Sequence, residues 1–237
     1  ISRISLRLSY TISDCFVVLS PSFTPIIKEF LFLKDTKKIQ TISNPLTISS
    51  KPKTIIKKRK EIIYVGRIEN NQKRIDRLID IWEDLNKKYV DWEMTIVGDG
   101  PDLKYFENLT KKKQLKRISF VGYKNPKEYY ERASILLLVS EYEGFGLVIL
   151  ESMAYGVVPI VLGSYGAVYD IISHGNDGFI SSYPYNKEEM IQYIESLINN
   201  PTKIEQMGQQ GQYKSNRFML PKITEQWYKL FNKIYNK

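Results

Sequence analysis

The fold of this chain is decided by the stretch Glu143-Gly-Phe-Gly-Leu-Val-Ile-Leu-Glu151. It follows the apolar run Ile135-Leu-Leu-Leu-Val-Ser140, which predicts a strand buried on both faces. Residues 141–146 predict a turn, and residues 147–155 predict a helix that Gly156 ends. The stretch therefore predicts a strand–turn–helix junction, with one glutamate in the turn and a second on the helix.

The start of this predicted helix suits a phosphate group. The amides near Gly146, Leu147 and Val148 would be free at the helix N-terminus, where the helix dipole is positive. Glu143 and Glu151 would repel a phosphate, so their presence needs another explanation. Carboxylates accept hydrogen bonds from the vicinal hydroxyls of sugars, so the pattern favours a diphosphate with a hydroxyl-rich group at each side, as in a nucleotide-sugar.

Composition places the chain among globular proteins and narrows its partners. The 237 residues suffice for one large domain or two small ones, and the hydrophobic content of 43% supports a core. The net charge of +9 favours anionic partners such as nucleotide phosphates, lipid headgroups or nucleic acid, although a basic solvated surface is the simpler explanation of charge alone. The single cysteine, Cys15, excludes an intrachain disulfide, and the single histidine, His174, excludes a histidine-cluster metal site.

The sequence predicts a cytoplasmic protein. No signal peptide is visible, and no apolar run approaches the ~20 residues that a membrane-spanning helix needs. The basic residues of Lys111-Lys-Lys113 and Lys116-Arg117 add a peripheral contact with the inner face of an anionic membrane as a hypothesis. The chain begins at Ile1 rather than at Met, so we expect a fragment of a longer protein.

The rest of the chain predicts an α/β fold with a Rossmann-like parallel sheet and helices on both faces. Strands are predicted over 16–20, 39–42, 61–66, 92–97, 118–122, 135–140, 157–161 and 178–180, and helices over 1–12, 22–33, 75–89, 103–115, 126–133, 147–155, 186–199, 202–217 and 221–235. Ligands of such sheets bind beyond the carboxyl ends of the strands, where Gly66, Gly98, Gly122 and Ser140 lie.

The segment from Ser140 through Glu143-Gly-Phe-Gly146 and Glu151 to Met153-Ala-Tyr-Gly-Val-Val-Pro-Ile-Val161 resembles the retaining GT-B glycosyltransferases of the glycosyl transferases group 1 family. The resemblance runs from about Cys15 to the end of the chain and is strongest over 62–73 and 121–180. It implies three parts: residues 1–48 as the end of a GT-B N-terminal domain with the start of the linker, residues 49–218 as the nucleotide-sugar-binding domain, and residues 219–237 as a helix packing toward the N-terminal domain. One departure is Asp170, where many relatives carry Glu.

The resemblance also implies roles for individual residues. Arg67, after Gly66, and Lys73 would contact the donor diphosphate, although Arg74 is adjacent to Lys73 and could substitute for it. Glu143 would accept hydrogen bonds from the donor sugar and Glu151 from the ribose. The expected catalytic residues are Glu143, Arg67 and Lys73, and the expected donor-binding residues are Gly66, Arg67, Lys73, Gly122, Tyr123, Glu143, Gly144, Phe145, Gly146, Leu147, Val148 and Glu151.

The implied reaction needs neither a metal nor a cofactor. No Asp-x-Asp motif is present, and Arg67, Lys73 and the helix N-terminus would neutralise the leaving diphosphate instead. The acceptor hydroxyl would attack the anomeric carbon on the face that the diphosphate leaves, with retention of configuration. No protein nucleophile is obvious.

The leading hypothesis is a hexosyl- or hexosaminyltransferase that moves a sugar from a nucleotide-sugar, with a UDP-sugar as the expected donor, to a polysaccharide, glycolipid or other glycan. The alternative is a non-catalytic nucleotide-sugar-binding fragment or subunit that needs a partner domain, because about 44 residues before the linker are too few for the ~100 residues of a second Rossmann-like domain. A nucleic-acid-binding domain ranks last, because the basic runs lack interleaved aromatic residues.

Overall fold

The computed structural model describes residues 2–48 and 58–236. The predicted linker over 49–54 lies outside the described residues. Within these ranges the strands are β1 (Phe16–Val18), β2 (Ile39–Thr41), β3 (Glu61–Val65), β4 (Glu93–Val97), β5 (Ile118–Phe120), β6 (Ile135–Leu138), β7 (Val158–Leu162) and β8 (Phe179–Ser181). The helices are α1 (Arg3–Ile12), α2 (Phe23–Phe30), α3 (Asn70–Lys73), α4 (Ile75–Lys88), α5 (Leu103–Lys112), α6 (Lys127–Arg132), α7 (Leu147–Ala154), α8 (Ala167–Ile171), α9 (Lys187–Ile198), α10 (Pro201–Ser215) and α11 (Leu220–Tyr235), with a 3-10 turn over Asn216–Phe218 before α11.

A six-stranded parallel sheet forms the centre of the molecule, in the order β5-β4-β3-β6-β7-β8. The chain enters at β3, moves outward to β5, and returns to place β6 on the other side of β3. This order is that of a doubly wound sheet, and the direction of winding reverses between β3 and β6. The predicted α/β fold class is confirmed. The reversal places the crevice where such folds bind ligands beyond the carboxyl ends of these two strands.

The central strands are apolar because helices cover both faces of the sheet. Every residue of β3, β6 and β7 is buried, as expected for parallel strands in this architecture. The helix α4 buries the face that its periodicity predicted, with Ile75, Leu78, Ile79, Trp82 and Leu85 turned inward. Burial of these side chains fixes how the loops before and after α4 meet the edge of the sheet.

One charged residue lies inside the sheet. Glu61 opens β3 and has no solvent exposure. The Arg132 guanidinium donates to both of its carboxylate oxygens, each at 2.8 Å, and the Thr95 hydroxyl donates to Oε1 at 2.6 Å. This pair joins β3, β4 and the end of α6 at the edge of the sheet opposite the strand-end glycines.

The segment from α1 to β2, residues 3–41, forms a smaller unit. Strands β1 and β2 pair in parallel as a two-stranded sheet, with α1 and α2 beside them. The unit contacts the main sheet domain through Asp170 on α8, whose carboxylate accepts hydrogen bonds from the hydroxyls of Ser20 and Ser22 and from the Ser22 amide. Asp170, the departure noted in the sequence, therefore joins the two parts of the chain.

Two short helices were not predicted from the sequence. The four residues of α3 and the five residues of α8 are too short to show a helical period. Arg74 separates α3 from α4 and adopts a left-handed backbone conformation, with φ of 52°. The predicted helix start at Ile75 is therefore correct, but the turn before it has more structure than the sequence indicated.

Candidate functional site

Sheet topology brings together the two loops that carry the predicted charged residues. Residues 66–74 follow β3, and residues 139–146 follow β6, and these strands pair directly, with Ile62 opposite Ile135. Since the strands are parallel, both loops leave the same edge of the sheet. The edge is the one where doubly wound folds bind ligands.

Lys73 and Glu143 meet at this edge. The Lys73 Nζ lies 2.6 Å from the Glu143 Oε1, and the two side chains are only 18% and 11% exposed. The predicted phosphate-binding cation and the predicted sugar-binding carboxylate thus neutralise each other in this structure. A ligand that presents an anion to Lys73 and hydroxyls to Glu143 would have to separate them.

Arg74, the alternative to Lys73, has other partners. Its guanidinium donates to Asp76 through Nε at 3.0 Å and Nη2 at 2.7 Å, and to the Glu141 Oε1 through Nη1 at 2.8 Å. The left-handed backbone at Arg74 marks the turn from α3 into α4. The geometry favours Lys73 as the cation that faces the site and assigns Arg74 to holding the loops.

Further contacts across the two loops were missed by sequence reasoning. Arg77 forms an ion pair with Glu141 and donates through Nη1 to the Val139 carbonyl at 3.1 Å. The Gln72 side-chain amide donates to the Tyr142 carbonyl at 2.9 Å, and the Glu141 amide donates to the Gln72 carbonyl at 2.8 Å. In the sequence these side chains are ordinary charged or polar residues, and only the pairing of β3 with β6 places them in contact.

Arg67 is the accessible cation of the site. Its side chain is exposed, and its guanidinium has no hydrogen bond or ion pair with any residue in the described ranges. The Arg67 carbonyl accepts a hydrogen bond from the buried Tyr64 hydroxyl at 2.9 Å. Tyr64 therefore fixes the backbone while the guanidinium stays available for an anion.

The strand-end glycines pack against one another. The Gly66 amide donates to the Val97 carbonyl at 3.0 Å, and the Gly98 amide donates to the Gly122 carbonyl at 2.9 Å. A Cβ on Gly98 would lie 1.8 Å from the Gly66 carbonyl oxygen, so only glycine allows the two loops to approach this closely. Tyr123, after Gly122, extends into solvent with 87% of its surface exposed.

The N-terminus of α7 completes this edge. Gly146 caps the helix with φ of 92°, which favours glycine, and no side chain bonds to the free amides there. The amides of Leu147 and Val148 donate to no residue in the part of the chain that the structure describes. Phe145 is buried against Phe218, whereas Gly144 faces open space, so a ligand could approach the backbone of this turn.

Glu151 lies one turn further along α7, on the face that Leu147 occupies. Its Oε2 accepts a hydrogen bond from the buried Tyr130 hydroxyl at 2.9 Å. Burial raises the pKa of Glu151 above its ordinary value, and the Tyr130 hydrogen bond opposes part of that increase. Glu151 thus has a neutral partner, whereas Glu143 has a cation.

Residues 47–214 match the sequence profile described as Glycosyl transferases group 1. The chain belongs to this family. An uncharacterized glycosyltransferase of Haemophilus influenzae is 34% identical over 194 residues, which cover 81% of this chain and 54% of that protein. An α-1,4-N-acetyl-D-galactosaminyltransferase of Campylobacter jejuni is 24% identical over 237 residues, covering 99% of this chain and 64% of the relative.

The fold is that of known GT-B glycosyltransferases. A crystal structure of Staphylococcus aureus TarM, a mutant in complex with fondaparinux, α-GlcNAc-glycerol and UDP, superposes with a TM-score of 0.84 at 24% identity. The superposition covers 97% of this chain and 46% of TarM. The chain spans 46% of TarM, 54% of the Haemophilus protein and 64% of the Campylobacter transferase, about half the length of these proteins. The predictions of fold and family are confirmed.

Within residues 2–48 and 58–236, no group of three or more His, Cys, Asp and Glu side chains is arranged to hold a metal ion. Over the same ranges no helix is long and apolar enough to cross a membrane.

Proposed function

We propose that this chain carries the donor site of a glycosyltransferase that uses a nucleotide-sugar. The observation that carries the proposal is the contact of Lys73 with Glu143 at 2.6 Å, beside the uncapped N-terminus of α7. A cation for phosphate, a carboxylate for hydroxyls and free amides converge there at the edge where doubly wound sheets bind ligands. UDP in the complex of the structurally similar TarM supports a UDP-sugar as the donor.

Each part of the donor has a partner in this proposal. Arg67 and the amides of Leu147 and Val148 bind the diphosphate, and Lys73 leaves Glu143 to join them. Glu143 then accepts hydrogen bonds from the hydroxyls of the sugar. Glu151 accepts from the ribose, and the base lies near the loops that follow β4 and β5.

The proposed reaction is transfer with retention of configuration. The bond between the anomeric carbon and the diphosphate oxygen breaks, the acceptor oxygen bonds to the same face of that carbon, and the proton of the acceptor hydroxyl passes to the leaving diphosphate. The charge that develops on the leaving diphosphate is stabilised by Arg67, by Lys73 once it has left Glu143, and by the α7 dipole. We therefore propose that binding of the diphosphate needs no metal.

The proposed acceptor is a glycan, either in a polysaccharide or on a lipid carrier. The name of the Campylobacter relative includes a PP-undecaprenol acceptor, which supports the lipid-linked form. Of the predicted basic cluster, Lys113 pairs with Glu83, and Arg117 donates to the Trp92 carbonyl. Lys111, Lys112 and Lys116 are exposed and would make the contact with an anionic membrane surface on the cytoplasmic side.

Calorimetric titration with UDP tests the donor site, with GDP and ADP in parallel. We expect one of the three to bind, and Arg67→Met to weaken binding at least tenfold, because a charge-assisted hydrogen bond contributes about 1.5–3 kcal/mol. Lys112→Met is the matched control. It removes an exposed cation in the last turn of α5, at the end of the helix opposite the strand-end loops. Affinity that is the same in EDTA as in Mg²⁺ would support metal-independent binding, and equal affinity of both variants and the wild type would contradict the site.

A nucleotide-sugar-binding subunit without catalytic activity is the second candidate. Such a subunit would bind the donor in the same way, and the second wall that a glycosyl acceptor needs opposite the donor would come from a partner. Release of nucleoside diphosphate from UDP-sugars, measured with a mixed set of acceptors, separates the two candidates. Both predict binding of the donor. Only the first predicts turnover once the protein surface that positions the acceptor is present.

A further inference from the structure

Tyr165 has a buried hydroxyl group with no hydrogen-bond partner. The residue follows β7 and is 9% exposed, and its Oη has essentially no accessible surface. Buried tyrosine hydroxyls almost always have a partner, because an unpaired one has lost its hydrogen bonds to water without a replacement. Among the described residues five buried side-chain atoms are unpaired in this way: Arg77 Nε, Ser140 Oγ, Tyr165 Oη, Ser181 Oγ and Tyr185 Oη.

The unpaired hydroxyl lies inside the proposed donor site. A Cβ on Gly146, the residue that caps α7, would lie 2.7 Å from the Tyr165 Oη. Burial, and after it the negative charge of Glu143, raise the pKa of Tyr165, so the hydroxyl stays protonated and can act as a donor. Tyr64 is also buried near Glu143, but its hydroxyl already donates to the Arg67 carbonyl.

A protein group, rather than the ligand, is the better partner for this hydroxyl. The Tyr165 Oη has essentially no accessible surface, so it is closed to a ligand atom in this structure. Glu143 is the acceptor in question, because its negative charge contributes to the raised pKa of Tyr165. In this structure the Glu143 Oε1 accepts a hydrogen bond from Lys73. If a diphosphate draws Lys73 away, the Glu143 carboxylate, which is 11% exposed, loses its partner with little access to water, and this is unfavourable for a charge.

We propose that Tyr165 is a positioning residue that donates a hydrogen bond to Glu143 when the donor diphosphate takes Lys73. The carboxylate thus exchanges a cation for a hydroxyl and stays charged and oriented toward the sugar. A hydrogen bond from a hydroxyl to a carboxylate is short and strong, so it can replace part of the lost ion pair. This inference rests on the proposed function and deepens it. It adds Tyr165, which follows β7, to a site formed by the loops after β3 and β6.

The test is a double-mutant cycle of Tyr165→Phe and Glu143→Gln on UDP affinity, with GDP and ADP in parallel. We expect Tyr165→Phe to weaken binding about tenfold in the wild-type background, from the loss of one hydrogen bond to a charged group. In the Glu143→Gln background it should change binding less than twofold, because the two residues act as one unit. Thermal unfolding should show Tyr165→Phe to be as stable as the wild type or more so, because an unpaired hydroxyl is removed.

Tyr185→Phe is the matched control. It removes another buried, unpaired hydroxyl and keeps the ring that faces Arg77, so it should gain similar stability without any loss of UDP affinity. Wild-type affinity in Tyr165→Phe, or an equal loss with and without Glu143, would overturn the role of Tyr165 and leave the donor site standing. Absence of binding of all three nucleotides to folded wild-type protein would overturn the proposed function as well.

Discussion

At the scale of single residues, Glu143 and Glu151 differ in what surrounds them. Glu143 lies against the Lys73 ammonium group, whereas Glu151 accepts from the neutral Tyr130 hydroxyl and is raised in pKa by burial. A carboxylate with a cation partner must give it up to bind a ligand. A carboxylate with a neutral partner can accept further hydrogen bonds at once, which suits the ribose.

Glu151→Gln should weaken binding of UDP by about 1.5–3 kcal/mol, because a charged acceptor of a ribose hydrogen bond becomes a neutral amide. Isothermal titration measures the change, and Glu205→Gln, on the exposed face of α10, is the control. Unchanged affinity in Glu151→Gln would remove Glu151 from the ribose site.

The raised pKa of Glu151 predicts opposite effects of pH on the stability of the protein and on its affinity for UDP. The pKa of Glu151 lies above its ordinary value of 4.5, so the folded protein holds this proton more tightly than the unfolded chain. Its contribution to stability is present below pH 4.5 and is lost as pH rises through the raised pKa. UDP affinity should change in the opposite sense and increase as pH rises over that range. The difference in UDP affinity between wild type and Glu151→Gln, measured across the range, separates the ionisation of Glu151 from that of the phosphates.

Glu143→Gln should separate the nucleotide from the sugar. It frees Lys73 from its ion pair, so affinity for UDP should be equal to that of the wild type or higher. Affinity for UDP-glucose or UDP-N-acetylglucosamine relative to UDP should fall, because the sugar hydroxyls lose a charged acceptor. Parallel titrations of UDP and the two UDP-sugars measure the ratio, and a fall in UDP affinity equal to that of Glu151→Gln would contradict the division of roles.

At the scale of elements, the start of β3 is held by the buried Glu61. Arg132, at the end of α6, satisfies both carboxylate oxygens, yet its own side chain is 29% exposed while that of Glu61 is fully buried. The free-energy cost of breaking the pair therefore depends on which partner is removed. Removal of Arg132 leaves a charge with no access to water, whereas neutralisation of Glu61 leaves an arginine that can turn outward.

Arg132→Ala should destabilise the protein by about 3–5 kcal/mol, as expected when one partner of a buried ion pair is removed. Glu61→Gln should cost clearly less, because the amide can still accept from Arg132 and Thr95. Urea unfolding curves of the two variants give the comparison. A larger loss for Glu61→Gln than for Arg132→Ala would show that the arginine, rather than the buried carboxylate, pays the desolvation cost.

At the scale of the whole molecule, two apolar stripes have no cover among the described residues. Ile4, Leu8 and Ile12 recur every four residues on α1 and are 81%, 60% and 76% exposed. On α11, Tyr228, Phe231 and Tyr235 form a second stripe. α11 runs beside β2, with a groove of about 270 Å³ between them. Exposed stripes of this kind are typical of surfaces that pack against another domain.

The 237-residue chain should therefore bind a nucleoside diphosphate but transfer no sugar. The charged groups of the donor site come from one sheet domain, so binding needs no second wall, whereas positioning of the acceptor and exclusion of water do. UDP release from UDP-sugars with mixed acceptors, run beside equilibrium titration on the same sample, tests this. Robust turnover would show that the second wall is dispensable.

We expect binding to membranes to depend on charge. Lys111, Lys112 and Lys116 would each add about 1 kcal/mol near an anionic surface, and salt would screen them. Flotation with liposomes of phosphatidylcholine, with or without phosphatidylserine, at low and high salt measures the effect. Binding that is indifferent to both lipid charge and salt would reject the electrostatic hypothesis.

The sequence by itself determined the alternation of strands and helices, the α7 junction and the positions of its two glutamates. These features are local, because buried runs, helical periods and a glycine turn are each visible within ten residues or so. For the same reason the sequence predicted Lys73 and Glu143 as site residues but could not show that they touch. The sequence left Arg74 as an alternative to Lys73. The directions in which two adjacent side chains point depend on the backbone conformation of the turn, which the sequence did not show.

Only the tertiary structure decided the contacts between distant segments. The pairing of β3 with β6 brings Lys73 to Glu143 across 70 residues and places Arg74 and Arg77 against Glu141. The pairing of β6 with β7 places Tyr165 on the same side of the sheet, where its hydroxyl is buried beside Gly146. Packing of α8 against the N-terminal strands places the Asp170 carboxylate on Ser20 and Ser22. The physical reason is that strand order is set by packing of the whole sheet, to which every strand contributes, and no local pattern contains it.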